Sequence, residues 1–129
     1  MHKEVIISIV IVVVIVIGNV VTQNYTRKSV EAISSDLNSL RQELNVEDVN
    51  PEEAEKHFAN IEKKWDNMQE KMAYYIEHDE LEKVKTNLTE LKSHTETEEY
   101  EEAICDLDKS VFVLNHIEEK SEFNLKNIF

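Results

Sequence analysis

The sequence predicts an all-α protein in which a single transmembrane helix is followed by a small antiparallel helical bundle. An apolar run covers residues 5–21 without one charged side chain. Beyond it, apolar residues recur every three or four positions, which is the period of an amphipathic helix. The whole chain contains one Gly and one Pro. We therefore expect few, long helices joined by short connections.

The apolar run reads VIISIVIVVVIVIGNVV and has 17 residues. As a helix it would be about 25 Å long, near the lower limit for crossing a bilayer. Val and Ile favour strands in water, but a lone segment in hydrocarbon satisfies its backbone only as a helix. The alternative is a cleaved signal peptide. Because Lys3 is offset by Glu4 and the cleavage pattern of small residues is poor, we expect an uncleaved anchor.

Charge alone hardly decides the orientation of this anchor. Lys3 precedes the run, and Arg27 and Lys28 follow it, so the positive-inside comparison is close to a tie. The short tail of residues 1–4 is typical of a signal anchor. We therefore predict a single-pass protein of the cell membrane, with its N-terminus inside and its helical domain outside.

The net charge of −13 restricts the classes of partner. Nucleic-acid binding requires concentrated Lys and Arg, which the chain lacks, so no nucleic-acid partner is expected. The acidic helical domain is also not expected to lie flat on anionic lipid. Cys105 is the only cysteine. This excludes an internal disulfide framework and a zinc site built from cysteines.

Residues 22–45 are predicted to form a juxtamembrane stalk helix that continues from the anchor. Their apolar positions follow the a/d spacing of a coiled coil. These positions are Val30, Ile33, Leu37, Leu40 and Leu44. A second copy of the chain, paired through this stalk in a homodimer, is one candidate partner.

Residues 51–118 are predicted to form the antiparallel bundle, because short connections between helices make neighbours antiparallel. Its helices are expected at about 51–77, 79–94 and 98–118. Asn50 is the predicted N-cap of the first, with Glu53 completing a capping box. Asp79 and Thr97 are the predicted N-caps of the next two. The apolar tail, residues 119–129, is expected to pack back onto the bundle.

Motifs of known enzyme classes are missing from the sequence. It contains no glycine-rich phosphate loop, no H-E-x-x-H and no G-x-S-x-G. No His follows a Glu by three positions, which is the pairing used by di-iron sites in helical bundles. We therefore expect no enzymatic activity, no cofactor and no metal site.

Several side chains allow both a structural and a chemical interpretation. Glu53 with His57, and Glu90 with His94, have the spacing of ordinary pairs on a helix surface, which we favour over metal ligation. Cys105 lies beside an apolar seam and is expected to be a small buried residue rather than a nucleophile.

The acidic cluster at residues 96–102 lacks the spacing of a calcium loop and is expected to be a solvated face. Trp65, Met68 and Met72 are expected to fill the core of the bundle. The alternative is that they surround a ligand-sized apolar cavity.

Three stretches carry a resemblance to a known family. They are KKWDNM around Trp65, IEHDELEKVKTNLTELK at 76–92, and the closing LKNIF at 125–129. Together with the anchor and the chain length, they resemble the domain of unknown function 4363 family of small, N-terminally anchored helical proteins of clostridial-type bacteria. The likeness extends over essentially the whole chain. It implies a membrane-anchored helical protein without an assigned activity and, through gene neighbourhood, a multi-pass membrane protein as partner.

These stretches supply the candidate interaction or junction residues. They are Trp65, His78, Asp79, Glu80, Asn127, Ile128 and Phe129. His78 is expected to orient a turn, or to act as a pH-sensitive contact. The last three residues are expected to cover the end of the bundle or to insert into a partner. The leading hypothesis is a non-enzymatic interaction module that binds another envelope or membrane protein, and the alternative is an extracytoplasmic sensor or small-ligand-binding domain.

Overall fold

The computed structural model describes the backbone of residues 2–128 and the side chains of residues 2–123. It contains four helices within that range and no strand. They are α1 (His2–Leu44), α2 (Pro51–Met72), α3 (His78–Glu96) and α4 (Tyr100–Ile128). The predicted all-α class, with an apolar N-terminal helix followed by a helical bundle, is confirmed.

The two halves of α1 have different surroundings. The apolar half reaches a mean hydropathy of 3.1 over its most apolar 18 residues, none of which is buried. It is therefore long and apolar enough to span a membrane. The second half is buried along one face. The buried residues are Thr26, Ser29, Val30, Ile33, Leu37, Leu40 and Leu44.

The segment 22–45 differs from the expected separate stalk, because it forms one helix of the bundle itself. It packs against both α2 and α4. Leu37 and Leu40 are fully buried there. An apolar a/d seam requires an apolar partner surface, and α2 and α4 of the same chain supply one to α1.

The helices alternate in direction, and each packs against two neighbours. α1 and α3 both lie between α2 and α4. Their apolar faces meet in one core of Leu, Ile, Val, Ala, Phe, Trp and Met side chains. Because the helices alternate, the α1–α2 and α3–α4 connections lie at the end far from the apolar half of α1. The α2–α3 turn lies at the near end.

The structure confirms one predicted helix cap and corrects another. The side chain of Asn50 accepts a hydrogen bond from the backbone N–H of Glu53 at 3.3 Å, which is the bond expected of an N-cap residue. Asp79 is not the N-cap of α3, because α2 already ends at Met72 and α3 begins at His78. The N-cap is Glu77, which makes no side-chain capping bond. Asp79 instead lies in the first turn, where its charge favours the helix dipole.

Thr97 caps the end of α3 rather than the start of α4. Its hydroxyl donates to the carbonyl oxygen of Ser93 at 2.9 Å. The chain then reverses through Glu98, whose φ is 59°. The N–H of Glu99 donates back to the carbonyl of His94 at 2.8 Å, which closes a Schellman-type turn. This turn moves the start of α4 to Tyr100.

The C-terminal end of α4 is longer than predicted. The helix continues to Ile128, so most of the expected tail at 119–129 is regular helix. Near this end, the hydroxyl of Ser121 donates to the side-chain oxygen of Gln23 at 2.7 Å. This contact joins α4 to α1 next to the apolar half.

Candidate functional site

The predicted junction residues His78, Asp79 and Glu80 face different surroundings although they are consecutive. His78 is exposed, and its ring lies 3.9 Å from Glu82 in the next turn. Asp79 is also exposed, whereas Glu80 retains only 8% of its accessible surface. The three residues therefore do not form a common site.

His78 shares an open groove between α2 and α3 with Trp65. The groove has a volume of about 270 Å³. Its other lining residues are Asp66, Gln69, Leu81, Glu82 and Lys85. Trp65 is 1% exposed, and its indole Nε1 has no hydrogen-bond partner among the described residues. Buried Trp donors usually find a partner, so this N–H is an unused donor beside the groove.

The Trp65, Met68 and Met72 cluster forms part of the core. Trp65 and Met72 are each 1% exposed, and Met68 is partly buried against the same core. Their apolar surfaces are filled by neighbouring helices. The nearby groove is a surface feature with polar edges rather than an apolar cavity enclosed by these three residues.

Glu80 lines a smaller cavity of about 110 Å³ between the α2–α3 turn and α4. Tyr75, Lys120 and Ser121 are among its other lining residues. One carboxylate oxygen of Glu80 is buried without a hydrogen-bond partner among the described residues, and the other lies 3.7 Å from Lys83. The hydroxyl groups of Tyr75 and Thr26 are 2.9 Å apart. Burial raises the pKa of Tyr75.

A polar pair of one buried and one partly exposed side chain joins α3 to α4 at the opposite end of the bundle. His94 Nδ1 hydrogen-bonds the carboxylate of Asp106, which is 4% exposed. This hydrogen bond raises the pKa of His94, with Glu99 and Glu102 adding in the same direction. The hydroxyl of Ser110 donates to the backbone carbonyl of Asp106 at 2.9 Å.

Spacing within one helix misidentified the partners of both histidines. His94 bonds Asp106 rather than Glu90, and His57 contacts Glu43 at 2.7 Å rather than Glu53. Both observed partners are contributed by a neighbouring helix. A sequence signal for Asp106 does exist, because it falls on the helical spacing that connects buried positions of α4. Those positions are Ala103, Ser110, Leu114 and Ile117.

Cys105 is exposed, contrary to the expectation of a small buried residue. The buried face of α4 runs through Ala103, Asp106 and Leu107, so it is rotated away from Cys105. The predicted apolar seam runs through Ile104 and Leu107. Leu107 is fully buried, whereas Ile104 is only partly buried.

Carboxylates are concentrated at the end of the bundle far from the apolar half of α1. Residues 43–55 contain six Asp or Glu, and residues 96–108 contain seven, without one Lys or Arg in either range. We call this surface the acidic pole. Arg41 reaches it from α1, with its Nε atom 2.9 Å from Asp108. Among the described residues, no group of three or more His, Cys, Asp or Glu is arranged to hold a metal ion.

The remaining candidate residues are at the C-terminus. The backbone of Asn127 and Ile128 belongs to α4. Their side chains, and all of Phe129, lie outside the part of the chain that is described. Their predicted role as a cover or a partner-binding tail stays a prediction.

Comparison with known proteins gives one match. No curated protein and no solved structure matches the chain. A family model, "Domain of unknown function (DUF4363)", matches residues 20–128. The match begins where the apolar run ends, and it includes the second half of α1 that packs in the bundle. The chain therefore belongs to the DUF4363 family.

Proposed function

We propose that this chain is a single-pass membrane protein whose helical bundle is a non-enzymatic interaction module. In this proposal, α1 holds the bundle at the outer face of the cell membrane. The acidic pole then binds a basic surface of another envelope protein. A multi-pass membrane protein is the kind of partner that the proposal favours.

The single observation that carries the proposal is the placement of charge along the molecule. The apolar half of α1, none of whose most apolar 18 residues is buried, lies at one end, and the carboxylates of the acidic pole lie at the other. A surface dominated by one sign of charge attracts partners of the opposite sign and speeds their association. The acidic pole is thus the surface that a protein outside the lipid would meet first.

The turn at Glu98 supports a role for charge at this pole. A left-handed backbone with φ of 59° at a helix end favours glycine, because other side chains are strained there. The chain has an acidic residue at this position, next to Glu99. Strained residues concentrate at functional sites, where strain is tolerated for the sake of the side chain.

Site-specific photo-crosslinking in intact cells would test the proposal. The crosslinking amino acid replaces Val46, which is 54% exposed in the α1–α2 connection at the acidic pole. We expect one adduct with an envelope protein. Neutralising three exposed carboxylates of the pole, by Glu98→Gln, Glu101→Gln and Glu102→Gln, is expected to remove it.

A matched control removes the same charge elsewhere. Asp66→Asn, Glu70→Gln and Glu82→Gln change three exposed carboxylates outside the acidic pole, and the adduct is expected to persist. If both triple variants lose the crosslinked adduct equally, the crosslink depends on net charge alone. If the adduct persists in both variants, the acidic pole does not bind the partner. Either result contradicts the proposal.

A second candidate function is binding of a small ligand in the α2–α3 groove. The unused indole donor of Trp65 beside that groove favours it. Trp65 is the only tryptophan of the chain, so its fluorescence reports directly on the groove. Screening amines, carboxylic acids and sugars should then give a saturable change in emission that Lys85→Ala weakens. A flat response to all three classes would count against this function.

A further inference from the structure

Two aromatic side chains are exposed at the end of the bundle next to the apolar half of α1. Tyr74, in the α2–α3 turn, is 92% exposed, and Phe123 on α4 is 60% exposed. We propose that this end of the bundle docks on the headgroup layer of the membrane that α1 spans, with both side chains inserted in that layer. The inference rests on the membrane anchor of the proposed function and adds a lipid-contacting surface to it.

The contact between Ser121 and Gln23 fixes the height of α4 beside α1. The two side chains hydrogen-bond at 2.7 Å, so they lie at the same level. The helices run in opposite directions. Each step along α4 toward its C-terminus therefore corresponds to one step along α1 toward its N-terminus. Phe123 then lies level with Val21, the last residue of the apolar run.

The contact between Tyr75 and Thr26 fixes the height of the α2–α3 turn in the same way. Their hydroxyl groups are 2.9 Å apart. Thr26 lies about 7 Å beyond Val21 along the helix, at a rise of ~1.5 Å per residue. The headgroup layer on each side of a bilayer is about 5–8 Å thick. Tyr74, next to Tyr75, therefore lies at the depth of that layer.

The short apolar run brings this end of the bundle still closer to the lipid. At about 25 Å it is shorter than the ~30 Å hydrocarbon core of a typical bilayer. A helix with this mismatch is accommodated by local thinning of the bilayer, or by residues flanking the apolar stretch that lie at its border. For α1, the flanking residues at 22–26 are the ones that contact α4 and the α2–α3 turn.

This end presents aromatic and basic side chains to the lipid headgroups, among exposed carboxylates that include Glu77, Glu119 and Glu122. Trp and Tyr concentrate at the membrane–water interface because one part of the side chain is apolar and another forms hydrogen bonds; Tyr74 fits this description, and Phe123 supplies only the apolar part. The basic side chains Arg27, Lys28 and Lys71 are exposed near this end and can contact lipid phosphates, whereas Lys120 pairs with Glu77 at 3.2 Å. Docking by this end also keeps the acidic pole far from anionic lipid.

Nitroxide labels on the full-length protein in phosphatidylcholine–phosphatidylglycerol vesicles would test the inference. Labels are placed at Ala73→Cys or Glu122→Cys in a Cys105→Ser background, which leaves both aromatic residues in place. The native Cys105, labelled in the unchanged chain, is the reference far from the membrane. For each label we compare its collision rate with oxygen, which enters lipid, and its collision rate with a water-soluble nickel chelate. We expect the oxygen-to-nickel ratio to be severalfold higher at positions 73 and 122 than at position 105.

Matched substitutions then identify the contacts. Tyr74→Ser with Phe123→Ser is expected to lower that ratio at both positions, and an unchanged ratio would show that these two side chains do not make the contact. Phe112→Ser, which removes an aromatic side chain that is 75% exposed away from this end, is expected to leave it unchanged. If the oxygen-to-nickel ratios at 73 and 122 equal the ratio at 105 before any aromatic residue is replaced, the docking proposal is wrong.

A label at Val13→Cys separates this failure from failure of the anchor. If that label reports hydrocarbon while 73 and 122 report water, the anchor is intact and only the docking is wrong. If position 13 also reports water, the membrane anchor itself fails, and the docking fails with it.

Discussion

His94 and Asp106 form a hydrogen bond between α3 and α4 in which one partner is buried and the other is partly open to water. The side chain of Asp106 is 5% exposed, and that of His94 is 31% exposed. Because the Asp106 carboxylate is almost closed to solvent, it is stabilised mainly by its hydrogen bond to the His94 imidazole. The acidic pole therefore contains a titratable contact within the fold itself.

The free energy of unfolding is expected to fall as the pH rises through the pKa of His94. The bond to Asp106 raises this pKa above its ordinary value in the folded chain. The stabilisation is therefore complete below the unfolded pKa of about 6.5 and disappears above the folded pKa. Glu99 and Glu102 also face His94 and raise its pKa further. Urea unfolding between about pH 6 and pH 8 should show the decrease.

Two substitutions make that experiment specific. His94→Gln should remove most of the decrease between these pH values, because the titrating group is gone. His116→Gln changes an exposed histidine on α4 and should leave the decrease in place. An unaltered pH dependence in His94→Gln would show that another group is responsible.

Leu37→Ala should destabilise the bundle by about 2–5 kcal/mol, the usual cost of a cavity at a buried leucine. Leu37 is fully buried in the second half of α1. Asn38→Ala, at the exposed neighbouring position, should change stability by less than about 0.5 kcal/mol. Chemical denaturation of the full chain in detergent measures both. Equal stability of the two variants would mean that α1 does not belong to the folded unit.

Glu98→Gly should stabilise the protein by about 0.5–1 kcal/mol, because glycine adopts the left-handed backbone at this position without strain. The φ of Glu98 is 59°. Glu98→Gln keeps the strained backbone and removes only the charge, so it should gain less. If Gln stabilises as much as Gly in urea unfolding, charge repulsion rather than backbone strain is the cause.

Cys105 should react with maleimide in the folded protein, because this cysteine is exposed. The native chain therefore carries its own probe of orientation. In intact cells, a membrane-impermeant maleimide is expected to label Cys105 if the bundle is outside the membrane. Cys105→Ser is the control for unrelated labelling. Labelling that appears only after lysis would place the bundle in the cytoplasm.

The sequence predicted the all-α class and the apolar seams, because periodicity is a local property. Asn50 and Glu53 form the predicted cap, and Leu37 lies on the predicted apolar seam. The packing partner of that seam was not predictable in the same way. A heptad pattern shows that a face is buried, but it does not say whether the covering surface comes from the same chain or from another copy.

The polar contacts were predicted less well, for a related reason. Spacing within a helix pairs His94 with Glu90, while the three-dimensional fold brings Asp106 to it from α4. The Thr97 cap was assigned to the wrong helix because threonine also bonds backward to a carbonyl of the preceding turn. The exposed position of Tyr74 likewise depends on where α2 stops, which is at Met72 rather than at 77.

Because α1 is one unbroken helix, the distance between its apolar half and the acidic pole is fixed. The helix passes from its apolar half into the bundle without interruption from His2 to Leu44. No flexible linker lets the bundle swing, and residues 22–44 extend about 34 Å at a rise of ~1.5 Å per residue. In the proposed membrane-anchored arrangement, the acidic pole is therefore presented at one height above the lipid, and the proposed partner would carry its basic surface at that same height.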